Sequence, residues 1–330
     1  MDLRLTRALE RWDCCSPRPL SGDAGARQYI RVAHPHVGSA LVVLYPPTDP
    51  DKPDDPFYDY RALQAYLDPV VRVPITLKVD EEDRVLLLED LGDITLEDRL
   101  TRFPDEELKW AGQVGDLLST WLGILTEGAP SRAFFMMRAF DDEKFRFEWE
   151  FCKAHFFRDF LEKEPPRWLD RMMLDVHAAL EPRARFLAHR DFHVRNLMVH
   201  GDSLVTIDFQ DARKGAATYD LASILFDGYW DWSHEARQLL FQKVKDVLGW
   251  SDTLLWEELN LSALQRNLKA LGTFGFQIVH RRKAHFASAI PRTLRHIHGH
   301  FQRLHHGEGV LASEHWMRLA QDRLLKGEPG

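Results

Sequence analysis

Cysteine is scarce: the 330 residues hold three, Cys14, Cys15 and Cys152. An odd number with two neighbours in sequence builds no disulfide framework and has no zinc-site spacing, which points to a reducing cytoplasm. No apolar run approaches the ~20 residues needed to cross a bilayer. The opening MDLRLTRALERWD lacks the apolar core of a secretory signal and reads as an amphipathic helix with Leu5, Leu9 and Trp12 on one face. Positive charge is short as well. A formal net charge of -8 leaves no basic surplus to hold a nucleic-acid backbone. What remains, 45% hydrophobic and 28% charged residues, is the balance of an ordinary globular protein. At this length one core tends to split into two.

Hydrophobic patterning divides the chain. Gln28–Ala33, Ala40–Tyr45, Val70–Val79 and Arg84–Glu89 are β-branched or aliphatic runs bounded by turn residues, which predicts strands. The Pro- and Asp-rich stretch PPTDPDKPDDP reads as an exposed loop before a short helix over Tyr58–Leu67. Beyond Asp90-Leu91-Gly92 the period changes. Val114, Leu117, Leu118, Trp121, Leu122 and Leu125 recur at helical spacing, with Pro104 and Asp105 placed for a helix start. Further helices are predicted near 142–163, 166–181, 219–229, 233–248, 255–285, 291–304 and 313–326. Phe186 to Phe209 interrupts them with short strands in FLAH, NLMVH and SLVTIDF, the last two joined by a Gly201-Asp202 turn. The expected fold class is α+β, with a small β-rich lobe over 1–91 and a larger, mostly helical lobe over 92–330.

The chemistry is concentrated in that interruption. His189-Arg190-Asp191-Phe192-His193-Val194-Arg195-Asn196 matches the kinase catalytic loop, H-R-D followed by Asn five residues after the Asp. Ile207-Asp208-Phe209 follows at the end of an apolar strand, where kinases place a metal-binding Asp. Phosphoryl transfer needs reactants positioned and charge neutralised. Asp208 and the amide oxygen of Asn196 are the hard oxygen donors that Mg2+ prefers. Asp191 is the candidate base for an acceptor hydroxyl, and His189 is expected to support the loop. In the N-terminal part, Ser21, Gly22 and Asp23 open a turn whose backbone N–H groups suit phosphate, although a plain β-turn reads the same. Glu89 and Leu91 end the last small-lobe strand, where a hinge would meet adenine. The implied architecture is a protein-kinase-like pair of lobes using ATP.

With these residues in hand, the chain resembles the aminoglycoside phosphotransferase and choline kinase branch of the kinase fold. More narrowly it is similar to bacterial cell-wall sugar kinases that phosphorylate N-acetylmuramate and N-acetylglucosamine at the anomeric hydroxyl. SGDAGARQYIRV, LLLEDLGDITLEDRL, HRDFHVRNLMV, IDFQDARKGAATYDLASIL and RNLKALGTFGF carry the resemblance, over about residues 20 to 300. It implies that Asp191 is the base, that Asn196 and Asp208 hold magnesium, and that Asp220 braces the catalytic loop from a following helix. Glu148 and Asp211 match positions facing the acceptor, and Arg195 is counted with them, although a helical Glu such as Glu148 is more often solvated. The chain departs at the third strand. Kinases of this fold carry there a Lys paired with a helix Glu, but this chain has ALVVLYPP and FYDYRALQAYL. Arg27 or Arg31 on the preceding strand is the replacement cation to look for.

One segment is short of acid: Gln265 to Gly307 holds eight Lys or Arg, seven His and no Asp or Glu. A solvated helix face explains such a run most simply. A metal shared by His296 and His300, or a wall of the acceptor pocket, are the alternatives. The third would repel polycationic aminoglycosides and admit a neutral or anionic sugar. The expectation is a monomeric, cytoplasmic ATP- and Mg2+-dependent kinase for an amino sugar, with no nucleic-acid or membrane partner. An aminoglycoside or other metabolite kinase, and a nucleotide-binding pseudokinase, are the rivals.

Overall fold

The computed structural model describes residues 2–20, 27–47, 55–124 and 137–326. The chain forms two units, Met1–Thr95 with Leu197–Gln210, and Leu96–Asn196 with Asp211–Gly330. The division expected at 91/92 therefore takes a different course, because a later hairpin joins the first unit.

In the first unit β1 (Cys15–Leu20), β2 (Gln28–His34), β3 (Gly38–Leu44), β4 (Thr76–Asp80) and β5 (Val85–Glu89) pair antiparallel in the order β1-β2-β3-β5-β4. Side chains alternate across a strand. Ala40, Val42 and Leu44 of β3 thus join Ile30, Val32, Val85 and Leu87 on one face, closed by Leu5 and Ala8 of helix α1 (Leu3–Arg11). Past β3, Tyr45 meets Phe57 and Tyr60 of α2 (Pro56–Leu67) at ring separations of 5.4 and 6.4 Å. Asp55 caps α2 and Pro56 opens it, where a missing N–H costs nothing.

Two sequence expectations change here. The run Val70–Val79 is strand only from Thr76, because Pro74 lies within it and has no N–H for a ladder. The edge strand β1 was not expected: CSPRPL holds two prolines, is exposed along nearly its whole length, and shows no alternation to read.

The chain returns to strand as β6 (Phe186–Ala188), β7 (Leu197–His200), β8 (Ser203–Thr206) and β9 (Arg213–Gly215). β7 and β8 form the hairpin of the first unit, turning at Gly201 with φ 62°. Val199 N–H donates to Ile94 O and Thr206 N–H to Arg72 O, at 2.9 and 3.0 Å, and Leu91, Met198 and Val205 pack together. β8 ends at Thr206, so Ile207-Asp208-Phe209 is irregular where strand was expected.

The second unit is helical around the pair β6–β9. Its helices are α3 (Leu96–Arg102), α4 (Glu107–Gly123), α5 (Asp142–Cys152), α6 (Arg167–Leu180), α7 (Tyr219–Leu225), α8 (His234–Leu248), α9 (Asp252–Val279), α10 (Ala289–Arg303) and α11 (Gly307–Lys326). The helix expected over 142–163 changes to a π-helical stretch at Lys153–Phe160. The 28-residue α9 is the central pillar. Gly272 lets it approach α5: a Cβ there would stand 2.7 Å from Cys152 Cα.

Candidate functional site

In the second unit the strand β6 feeds the loop His189–Asn196, and a loop rich in buried N–H groups needs acceptors behind it. Asp220 of α7 accepts from the N–H of His189 at 2.7 Å and of Arg190 at 3.0 Å, the bracing that the resemblance implies. Asp227 accepts from the N–H of Val194 at 3.0 Å and of Tyr229 at 2.8 Å. Asp227, seven residues after Asp220 and past the end of α7, was not expected from the sequence. Burial pushes Asp220 up to about 7 and Asp227 up to about 6, against these bonds and the Arg266 charge. His189 is buried between Trp121 and Phe192, at ring separations of 5.3 and 5.7 Å, which suits a supporting role.

Asp191 projects from this loop with 28% of its side chain exposed. Burial would raise its carboxyl, but the Lys269 and Arg190 charges outweigh that and hold it well below the usual range. Lys269 of α9 contacts Oδ1 directly, and Arg190 stands 4.0 Å from Oδ2. His193 is pushed down to about 3 by burial and is therefore neutral at ordinary pH. Asn196 donates its Nδ2 hydrogen to Asp191 O at 2.9 Å. That bond commits the amide nitrogen and leaves Oδ1 as the end able to meet a cation.

Arg190 gathers the acids around Asp191. It lies 3.5 Å from Glu148 and 3.5 Å from Asp211. Glu148 is not the solvated helical residue that its sequence suggests: it is 3% exposed, accepts from Gln265 at 2.9 Å and pairs with Lys144 at 3.4 Å. Arg195 is held by Glu97 at 2.5 Å and stacks on Tyr229 at 3.8 Å, so its charge is already engaged within the unit.

In the first unit Asp208 sits at φ 60°, a left-handed conformation that Asp tolerates better than most residues. Arg27, at the entry to β2, donates to its Oδ1 at 3.1 Å, and Gln210 donates at 2.8 Å. Phe209 is buried and stacks on Tyr60 at 5.0 Å. Of the two replacement cations considered, Arg27 meets the metal-type Asp, whereas Arg31 is taken up by Asp90 at 2.7 Å and Asp93 at 2.8 Å. Glu89 is occupied by Arg72 at 2.5 Å and by the N–H of Ile75 at 3.1 Å, and Leu91 packs in the small cluster with Met198 and Val205. Ser21, Gly22 and Asp23 lie outside the described residues.

The acid-poor segment is not one solvated face. Gln265, Arg266 and Asn267 are buried, and Gln265 and Lys269, one helical turn apart, reach Glu148 and Asp191. Lys269 is the contact that sequence reading missed. His296 and His300 both turn toward the Phe226 ring, at 5.6 and 4.5 Å, and burial pushes His296 down to about 3, an arrangement of packing rather than of metal ligation. The ligating groups that do converge among the described residues are His155, Asp159 and His280. Each imidazole is hydrogen-bonded to Asp159 Oδ2 at 2.7 Å, which accounts for the trio.

Comparison with known proteins places this geometry. A description of the phosphotransferase enzyme family matches residues 16–259. An N-acetylmuramate/N-acetylglucosamine kinase of Pseudomonas aeruginosa is 28% identical over 292 residues, covering 84% of this chain and 82% of that protein. Choline kinase LicA from Streptococcus pneumoniae shares the fold with a TM-score of 0.60 at 14% identity, over 91% of this chain and 98% of that one. An ADP-bound aminoglycoside phosphotransferase does so with a TM-score of 0.56 at 15% identity, over 88% and 96%. The α+β, kinase-like class expected from the sequence is the one observed. With the family spanning most of its length, and a braced Asp191 loop at its centre, the chain belongs to the phosphotransferase enzyme family and is an ATP-dependent phosphotransferase.

Proposed function

We propose that this enzyme transfers the γ-phosphate of ATP to the anomeric hydroxyl of an N-acetylated amino sugar, N-acetylglucosamine or N-acetylmuramate, giving the sugar 1-phosphate. The observation that carries the reading is the placement of Asp191 on its braced loop, with Lys269 on one carboxylate oxygen and Arg190 4.0 Å from the other, which favours the ionised form. Such a group is a weak base, and a weak base suits an acceptor more acidic than an ordinary alcohol, as an anomeric hydroxyl is. Asp191 accepts the hydrogen bond of that hydroxyl and orients its oxygen for attack. N-acetylmuramate is a cell-wall sugar, so the role we infer is recovery of peptidoglycan sugars in the cytoplasm by a monomeric enzyme.

The donor set fits magnesium. Asn196 presents an amide oxygen, its nitrogen being committed to Asp191 O, and Asp208 presents a carboxylate whose side chain is 44% exposed. Both are hard oxygen donors, and bound Mg2+ would supply neutralisation of phosphate charge. Arg27, on Asp208, is the cation we assign to nucleotide phosphates in place of the absent β3 Lys; Glu148 and Asp211 we assign to holding Arg190 beside the acceptor.

An ADP-release assay with N-acetylglucosamine, N-acetylmuramate and kanamycin, followed by phosphorus NMR of the product, tests the reading. Turnover of both sugars with phosphate on C1 is expected. Turnover of kanamycin alone, or phosphate on another carbon, would overturn it.

A further inference from the structure

Among the described residues, the three acids within reach of Arg190, namely Asp191, Glu148 and Asp211, are each matched by a cation of the chain. Lys269 contacts Asp191, Lys144 and Arg190 flank Glu148 at 3.4 and 3.5 Å, and Arg190 reaches Asp211 at 3.5 Å. A site that binds a polycation needs carboxylates left over for its ammonium groups. This cluster is balanced within itself, and Lys269 is the member that neutralises the base. Its side chain is 13% exposed, on the middle of a long helix whose previous turn is anchored through Gln265 to Glu148.

We propose that Lys269 is a specificity-determining residue that excludes acceptors with a cationic group beside the reacting hydroxyl and admits neutral or anionic ones. This rests on the amino-sugar reading above. In a 2-amino sugar phosphorylated at C1, the 2-substituent stands on the next carbon. A C1 hydroxyl hydrogen-bonded to Asp191 therefore carries the 2-nitrogen to on the order of 5 Å from the Lys269 ammonium. An acetamido group there is uncharged and feels no repulsion. A free ammonium meets a like charge in a partly desolvated site, and the Asp191 carboxylate that would have attracted it is already paired. The mismatch is expected to discriminate by roughly tenfold to a thousandfold.

The test compares N-acetylglucosamine with glucosamine, which differ at that position by charge. At a pH of about 6.5, where the glucosamine amine is protonated, the wild-type enzyme should favour N-acetylglucosamine in kcat/KM by more than about tenfold. Lys269→Met should lower that ratio at least about tenfold, chiefly through KM for glucosamine, and Lys269→Arg should restore it. Circular dichroism checks that each variant is folded, and Lys269→Gln replaces the Met variant if that one is not. A role confined to structure would depress both sugars alike and leave the ratio unchanged, which would overturn the inference while the amino-sugar reading stands. Wild-type enzyme inert toward both sugars would remove that reading and this inference together.

Discussion

The loop that carries Asp191 is fixed from behind by buried carboxylates, whereas the turn that carries Asp208 is held by Arg27, Gln210 and the packing of Phe209. Asp220 and Asp227 together take up four backbone N–H groups, those of His189, Arg190, Val194 and Tyr229. Asp208 has Arg27, Gln210 and the buried Phe209 beside it, and its own side chain is half-buried. The base proposed at Asp191 must hold one orientation through turnover, so rigidity suits that role. The metal ligand proposed at Asp208 must exchange a resting partner for an ion, and a single half-exposed ion pair gives way more easily than a set of buried bonds.

The comparison is broken most severely at Asp208. Asp208→Ala removes a charged oxygen donor, and magnesium-dependent turnover should fall below detection while the protein stays folded. Isothermal titration with ATP and magnesium against ATP alone reads this directly, and retention of a magnesium-dependent signal would contradict the assignment. Asp191→Asn comes next: turnover should drop by roughly a hundredfold to ten-thousandfold with ATP affinity nearly unchanged. Normal turnover in that variant would remove Asp191 from the mechanism.

Stability should respond in the opposite order. Asp227 accepts one N–H on each oxygen and is fully buried, so Asp227→Asn leaves a buried N–H without its acceptor and should cost about 1 to 3 kcal/mol. Its pH dependence has a definite sign. The folded carboxyl, raised to about 6, binds its proton more tightly than the unfolded one, so its contribution is fully present below the ordinary Asp value of about 3.9 and is lost as pH rises through about 6. Urea midpoints across that window should fall more steeply with pH in the wild type than in Asp227→Asn, and parallel curves would refute the assignment. Arg27→Met keeps an apolar stem of similar length and removes the charge, together with the guanidinium that stands 5.8 and 6.0 Å from the Tyr29 and Tyr45 ring centres. It should cost about 1 kcal/mol of stability or less and raise KM for ATP several-fold, measured by steady-state ADP release. A large loss of stability with unchanged KM would make Arg27 structural.

Local constraints were legible in the sequence and partnerships over distance were not. His189 to Asn196 could be read because a catalytic loop places its residues in fixed sequence order. Lys269 could not, since it lies 78 residues beyond the Asp191 it holds. Glu148 looked solvated because no neighbour in its own helix discloses Arg190 or Gln265. The grouping of Leu197–Gln210 with the first unit depends on backbone bonds to Arg72 and Ile94 that composition does not encode. The π-helical turn escaped for a related reason: the apolar spacing in KAHFFRDF is compatible with either helix until α9 packs on it.

The smallest effect is expected at His296, and it decides what the histidine-rich segment is for. Its imidazole faces the Phe226 ring, and burial keeps it neutral down to about pH 3. Ala in its place removes part of a packed surface and none of the groups that touch Asp191 or Asp208. Activity and magnesium dependence of His296→Ala should both remain within a few fold of wild type, with a modest fall in thermal midpoint. Metal analysis of the purified protein, before and after chelation, sharpens the point. Zinc bound in proportion to His296 and His300, with activity lost when it is stripped and regained when it is restored, would make these residues ligands and move part of the chemistry away from Asp208.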